Sequence, residues 1–141
     1  MNKICAVLVA LLFCAAGAEA QTAARSVLTG VYTEAQAARG MILFVNNCAT
    51  CHELGLTSSA TIPPLGGEDF MSDFTGSSVA DLEIRIQNTM PADNPGKLSA
   101  AESTDLSAFI LQNNHIPPGT AELSADPAVQ VQLRIEAPSK N

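Results

Sequence analysis

The stretch that decides the fold is Cys48-Ala49-Thr50-Cys51-His52, which brings two thiols and an imidazole together within five residues. Cys51 follows Cys48 by three positions and His52 follows it by four, so one helical turn places all three side chains close together. Two thiols at this spacing can each bond to the same edge of a flat molecule while the imidazole reaches beneath its centre. The stretch therefore predicts a covalently held cofactor.

This pattern matches the attachment motif of c-type haem, in which each thiol adds to one vinyl group and the histidine binds the iron. Three alternatives fit less well. A thioredoxin-like redox pair needs a βαβ setting that the chain does not offer. A zinc site needs a further ligand, for which only His115 is available. A disulfide in an exported protein leaves His52 unexplained. We expect one covalently bound haem c, with iron, attached at Cys48 and Cys51.

The iron needs a second axial ligand besides His52, and the candidates after the motif are Met71, Met90 and His115. Met90 is favoured because it follows a predicted helix and Pro91 forces it into an extended conformation. It also lies far enough along the chain to reach the opposite haem face, and a thioether ligand raises the reduction potential. Met71 lies between two phenylalanines and is expected to line the haem pocket.

Two further contacts to the cofactor follow from the same chemistry. A metal-bound histidine usually donates its other ring N–H to a carbonyl, and that of Pro63 or Pro64 is the expected acceptor for His52. Arg85 is the one base on the helix that leads to Met90. It is assigned to a haem propionate, with a solvated surface arginine as the alternative.

The N-terminus has the three parts of a secretory signal, namely an early lysine, an apolar run over 6–16 and small residues before a cleavage point after Ala20. The run is shorter than the ~20 residues needed to cross a bilayer, so we expect a periplasmic mature chain without a membrane insertion. A retained anchor and lipid attachment at Cys14 are the alternatives.

The remaining sequence predicts helices and loops. Apolar residues at helical spacing predict the first helix; they are Ala35, Ala38, Met41, Ile42 and Val45. Helices are expected at about Glu34–Asn46, Glu68–Asp73, from Ser78 to Thr89, after Ser99 and, as a short helix, after Ser124. Capping boxes are expected at Thr33–Gln36 and Ser99–Glu102, and Glu53–Gly67 is expected to be a loop. No stretch alternates as a strand would, so the fold class is all-α.

The composition limits both the core and the partners. The chain has no tryptophan, one tyrosine and five phenylalanines, which leaves little bulky material for a core. Its formal net charge is −7, which argues against binding to nucleic acid or anionic membranes and suits a partner with a basic patch.

The sequence resembles the class I cytochromes c over about Gly30 to Pro117. The matching pieces are Ala38-Arg39-Gly40-Met41-Ile42-Leu43-Phe44, Cys48 to His52, Pro64-Leu65-Gly66, Thr89-Met90-Pro91 and Asp105-Leu106-Ser107-Ala108-Phe109-Ile110-Leu111. The resemblance implies the cytochrome c fold, with three main helices and their loops around one haem. It also implies that Gly40 lets the first helix cross the last, near Phe44 and Phe109. The implied organisation is a signal peptide (1–20), an N-terminal extension (21–30), a cytochrome c domain (31–117) and a C-terminal tail (118–141).

The residues Gly30 to Ala37 and the ending Arg134-Ile135-Glu136 are similar to those of cytochrome c proteins associated with bacterial quinoprotein (PQQ) dehydrogenases. The implied function is transfer of single electrons from such a periplasmic dehydrogenase to the respiratory chain, without catalysis by this chain. A fixed subunit of the dehydrogenase is equally compatible with the sequence. The alternative function is a haem enzyme or gas-binding haem protein with an open sixth iron site.

Overall fold

The computed structural model describes residues 23–53 and 62–139 of the 141-residue chain. Within them lie five α-helices, one 3₁₀ turn and two short strands: β1 (Arg25–Ser26), the 3₁₀ turn (Val27–Thr29), α1 (Glu34–Asn47), α2 (Gly67–Phe74), α3 (Val79–Thr89), α4 (Ala100–Asn113), α5 (Pro127–Gln130) and β2 (Leu133–Arg134). The predicted all-α fold class is confirmed, with a small strand pair added. The predicted signal peptide lies outside the described residues. No helix in the described part of the chain is long and apolar enough to cross a membrane.

The closest helix contact is the crossing of α1 and α4 at Gly40. A Cβ atom at this position would overlap the carbonyl oxygen of Asp105 and approach the Cβ of Phe109 to 2.9 Å. The rings of Phe44 and Phe109 pack beside the crossing with their centroids 5.3 Å apart. At the exposed edge of the crossing, the guanidinium of Arg39 donates two hydrogen bonds to the carboxylate of Asp105, at 2.9 and 3.0 Å. The expected role of Gly40 is therefore confirmed.

The buried face of α1 differs from the apolar stripe that predicted the helix. Met41, Ile42 and Val45 are exposed by 51%, 63% and 48%. The face turned to the core consists of Gln36, Ala37, Gly40 and Phe44. An apolar pattern could not identify this face, because a close helix crossing requires small residues and because one buried position is a glutamine with polar partners.

That glutamine also corrects the predicted capping box at the start of α1. The hydroxyl of Thr33 accepts from the amide of Gln36 at 3.1 Å, as expected. The side chain of Gln36 does not return to the cap. It donates to the Leu123 carbonyl at 3.1 Å and accepts from the Leu123 amide at 2.7 Å. Gln36 therefore ties the segment after α4 to the first helix.

Complete capping boxes start the other two long helices. The box of Ser99 and Glu102 opens α4 as predicted. A second box, which the sequence analysis did not identify, opens α3: the Ser78 hydroxyl accepts from the Asp81 amide, and the Asp81 carboxylate accepts from the Ser78 amide at 2.8 Å. Both boxes satisfy amides that the first helical turn leaves unpaired.

The two ends of the described chain meet in a parallel strand pair, in which Arg25 lies opposite Leu133 and Ser26 opposite Arg134. The neighbouring side chains of Val27, Leu133 and Ile135 are buried in the same core as the helices. Each strand has two residues, which is too short to give an alternating sequence pattern. The segments before α1 and after α4 therefore contribute to the core.

Candidate functional site

A cavity of about 620 Å³ lies between the C-terminal end of α1, the segment 62–65, α3 and α4. Its volume is within the range of sites that hold one small molecule or cofactor, roughly 300–1,000 Å³. Every residue that the sequence assigned to the cofactor lines it: Cys48, Cys51, His52, Pro63, Pro64, Arg85 and Met90. Apolar side chains form much of the wall, among them Phe44, Leu82, Ile86, Leu98, Leu106 and Ile110.

The two cysteines are free thiols at the end of α1. Cys48 is the C-terminal cap of α1, and its amide donates to the Phe44 carbonyl at 2.8 Å. The amide of His52 donates to the Cys48 carbonyl at 2.8 Å, so the turn continues through the motif. Burial, and secondarily the neighbouring Cys51, raise the pKa of the Cys48 thiol. The half-buried Cys48 and the exposed Cys51 thus present two sulfur atoms to one cavity.

His52 is 7% exposed, and its burial lowers its pKa. The backbone carbonyl of Pro63 partly opposes this shift, although Nδ1 makes no hydrogen bond of normal geometry within the described residues. Of the two candidate carbonyls, that of Pro63 is therefore the one that acts on the ring. A neutral imidazole is the form that binds a metal, and burial favours this form here.

Met90 reaches the same cavity from a different element. It caps the C-terminus of α3 in an extended conformation, with φ −125° and ψ 148°, as Pro91 predicted. The two other candidate iron ligands do not line the cavity. Met71 packs against the hydrophobic core, so its expected place in the pocket lining was wrong, and Phe74 lies there instead. His115 is exposed, with a backbone φ of 60°.

The polar residues at the cavity include Arg85, which the sequence predicted, and the pair of Lys97 and Asn47, which it did not. Arg85 is exposed and holds its guanidinium 5.5 Å from the ring centroid of Phe74. The missed pair is Lys97 and Asn47, both of which line the cavity. The ammonium of Lys97 donates to the Asn47 side chain at 2.9 Å. Lys97 lies in an irregular stretch where no motif marks it, so only the folded chain reveals its position.

The donor set fits a c-type haem. Two thiols lie one helical turn apart, burial lowers the pKa of the His52 imidazole, a thioether enters from another element, and the wall is largely apolar. A metal-bound histidine usually donates its second ring N–H to a carbonyl or carboxylate. Nδ1 of His52 is buried without a hydrogen bond of normal geometry in the described residues, and the Pro63 carbonyl is the backbone group that acts on the ring. Fold and site together define a single-haem c-type cytochrome.

Comparison with known families agrees with this class. Residues 35–110, more than half of the chain, match the family described as Cytochrome C oxidase, cbb3-type, subunit III. The chain belongs to this family of class I c-type cytochromes, and its cofactor is a covalently bound haem c. The family's general role is electron transfer.

Among solved structures, the chain is similar to one in the crystal structure of the sulfane dehydrogenase SoxCD from Paracoccus pantotrophus. The two are 22% identical with a TM-score of 0.47, and the match covers 69% of this chain and 53% of the other. The chain thus spans about half the length of that solved chain. No curated protein sequence matches it.

Proposed function

We propose that this chain is an exported electron carrier in which Cys48 and Cys51 form the haem thioethers and His52 and Met90 bind the iron from opposite sides. The observation that carries the proposal is the position of these four side chains, which come from two separate parts of the chain and line one cavity. A bound haem supplies an iron centre that accepts and releases one electron.

The protein residues have distinct tasks in this assignment. The thiols fix the cofactor covalently, and the carbonyl of Pro63 orients the ring of His52, with Pro64 beside it at the cavity wall. Met90 would hold the iron through its thioether, which would leave no iron site open for a substrate. Arg85 at the cavity binds a propionate while its guanidinium stays over Phe74. These tasks suit electron transfer, which requires no acid or base from the protein.

The test is the electronic spectrum of the holoprotein with two matched variants. In the oxidised wild type we expect the weak long-wavelength band of a sulfur–iron bond, lost in Met90→Ala and kept in Met71→Ala, because Met71 lies outside the cavity. A high-spin spectrum in the wild type would contradict the assignment. It would favour the alternative of a haem enzyme or gas-binding protein with an open sixth site.

We infer a periplasmic dehydrogenase as the electron donor and a respiratory-chain protein as the acceptor. Support comes from the signal-like residues 1–20, which lie outside the described residues, and from the resemblance of Gly30 to Ala37 to cytochromes associated with quinoprotein (PQQ) dehydrogenases. The net charge of −7 favours a basic docking partner, and redox interfaces are small, under about 1,200 Å². Reduction by a purified quinoprotein dehydrogenase with its substrate should therefore be fast and slow down with added salt. Rates no greater than with a non-cognate dehydrogenase would exclude that donor.

A further inference from the structure

Between α3 and α4, outside the cavity lining, lies a buried carboxyl group that the proposed function does not use. The side chain of Glu83 is 3% exposed. Neither of its oxygens makes a hydrogen bond of normal geometry in the described part of the chain, and the same holds for the buried hydroxyl of Ser107. The hydroxyls of Ser107, Ser103 and Thr104 lower the pKa of the Glu83 carboxyl and partly oppose burial, which is the largest effect and raises it. A buried acid in this position needs a physical explanation, because an unpaired buried charge is costly.

Two of the three hydroxyls near Glu83 already donate their proton to a backbone carbonyl. The hydroxyl of Ser103 donates to the Ala100 carbonyl at 3.1 Å, and that of Thr104 donates to the same carbonyl at 2.8 Å. A hydroxyl has one proton and two lone pairs. Ser103 already accepts from the Gln87 side-chain amide at 2.9 Å and Thr104 from the Gln130 side-chain amide at 3.3 Å, so each has one lone pair left for Glu83. Ser107 is left as a donor. A carboxylate can only accept, whereas a carboxylic acid can donate its proton to one of these lone pairs.

Of the charged side chains on the elements packed around Glu83, Asp105 is the one that acts on it. From α4, Asp105 raises the pKa of Glu83, although Asp105 is itself paired with Arg39 of α1. The helix α5 has no ionisable side chain. From β2, Arg134 donates to a backbone carbonyl and acts on the capping carboxylate of α3. On α3 itself, Arg85 lies over an aromatic ring. Glu83 forms no ion pair within the described residues, and burial is the largest cause that raises its pKa.

We propose that Glu83 is a proton site coupled to electron transfer, protonated in the reduced protein and ionised more readily in the oxidised one. Leu82 and Ile86, which lie next to Glu83 on α3, line the cavity, so the buried carboxyl belongs to a helix that forms part of the cavity wall. In an interior of low dielectric constant, a change of one unit of charge at the cavity acts on Glu83 more strongly than it would through water. This inference rests on the proposed function.

The coupled step balances in charge and atoms. When one electron leaves the protein for a one-electron acceptor, the O–H bond of Glu83 breaks and its proton passes to solvent. The interior loses one negative and one positive charge, so its net charge stays constant. When an electron returns from the donor, the carboxylate takes one proton back from solvent.

The first test is the reduction potential of the holoprotein as a function of pH, over the range in which the folded protein is stable. The wild-type potential should fall as pH rises through the coupled transition, with a limit of tenfold in the redox equilibrium per pH unit, or ~59 mV for one electron. Glu83→Gln, which keeps the shape of the neutral acid, should flatten this dependence. Glu136→Gln, which removes a carboxyl from an exposed position, should match the wild type. Parallel curves for wild type and Glu83→Gln would overturn the proposal.

The second test uses the wild-type protein and does not depend on the folding of the variant. Redox-difference infrared spectroscopy should show the carbonyl stretch of a protonated carboxylic acid lost on oxidation by ferricyanide, with carboxylate bands gained. Where Glu83→Gln folds, its difference spectrum should lack both. Absence of the acid band in the wild type would overturn the inference. Failure of the proposed function would be distinguishable from failure of this inference. The spectral band of the Met90–iron bond tests the proposed function at one fixed pH and does not depend on Glu83.

Discussion

At the scale of single residues, Gly40 shows how one missing side chain sets a helix crossing. Its position on α1 would put a Cβ atom into the backbone of Asp105 on α4. Backbone atoms of a packed helix have little room to move, so a clash with them cannot be relieved by a rotamer change. The glycine therefore determines how close the two helices approach.

Gly40→Ala should lower the free energy of unfolding by about 1–3 kcal/mol, as overpacking does. Helix propensity predicts the opposite sign, since alanine is favoured over glycine by about 1 kcal/mol inside a helix. Ala38→Gly, on the exposed side of α1, is the matched control and should lose about 1 kcal/mol through propensity alone. Urea unfolding of the three holoproteins measures these differences. A stabilised Gly40→Ala variant would show that the crossing is not tightly packed.

At the scale of elements, α3 matters because its last residue is followed by Met90. Its start is held by the Ser78–Asp81 capping box, and hydrogen bonds from the Ser78 amide and hydroxyl lower the pKa of the Asp81 carboxyl. A carboxyl with a lowered folded-state pKa contributes stability that is present above its unfolded-state pKa. This stability is lost as pH falls through the folded-state pKa.

Ser78→Ala should destabilise the protein by about 1 kcal/mol at neutral pH, the usual effect of losing a helix cap. The difference from wild type should shrink in acid, below the ordinary aspartate pKa of about 3.9, because protonation of Asp81 weakens the box in the wild type. Ser77→Ala is the control, since the side chain of Ser77 is outside the box. Thermal unfolding at a series of pH values tests both statements. An equal loss in both variants would argue against the box.

Most of the elements were predictable, and the exceptions have physical causes. The C-terminus of α3 is determined locally by Pro91, and the N-terminus of α4 by the capping residue Ser99. Sequence patterns therefore identified both. The strand pair β1–β2 depends on residues more than a hundred positions apart, and no local pattern records such pairing. The side-chain direction of Gln36 likewise depends on Leu123, which is distant in sequence.

The site was more predictable than the details of the core. The five residues from Cys48 to His52 and the Met90–Pro91 pair have chemistry and spacing that point to one cofactor. Lys97 and Glu83 could not be assigned, because their roles depend on which neighbours the fold supplies. Met71 and Phe74 lie on the same short helix and both pack against the core, but of the two only Phe74 also lines the cavity, a difference that no spacing pattern records.

At the scale of the whole molecule, the chain folds around a cavity of about 620 Å³. With few aromatic residues in the sequence, the cofactor supplies the bulk that side chains do not. A group bound by the native state alone adds its binding free energy to folding. Stability of the protein is therefore linked to haem attachment.

Cys48→Ser/Cys51→Ser, purified without haem, should lack a cooperative thermal transition in far-UV circular dichroism. The holoprotein should show a cooperative transition. The control is Gln112→Ala with haem attached, which changes an exposed residue of α4 and should unfold at a temperature close to that of the wild-type holoprotein. A haem-free chain that melts cooperatively at the holoprotein temperature would refute the linkage.

The crossing of α1 and α4 also sets an order of events during folding. The ion pair at its edge joins Arg39 and Asp105, which are separated by 66 residues, and closing a loop of this length is slow compared with forming a single helix. The core therefore cannot close before α4 has formed and packed against α1. Cys48 and Cys51 lie inside that loop, so both thiols are accessible in the unfolded chain until the helix crossing forms.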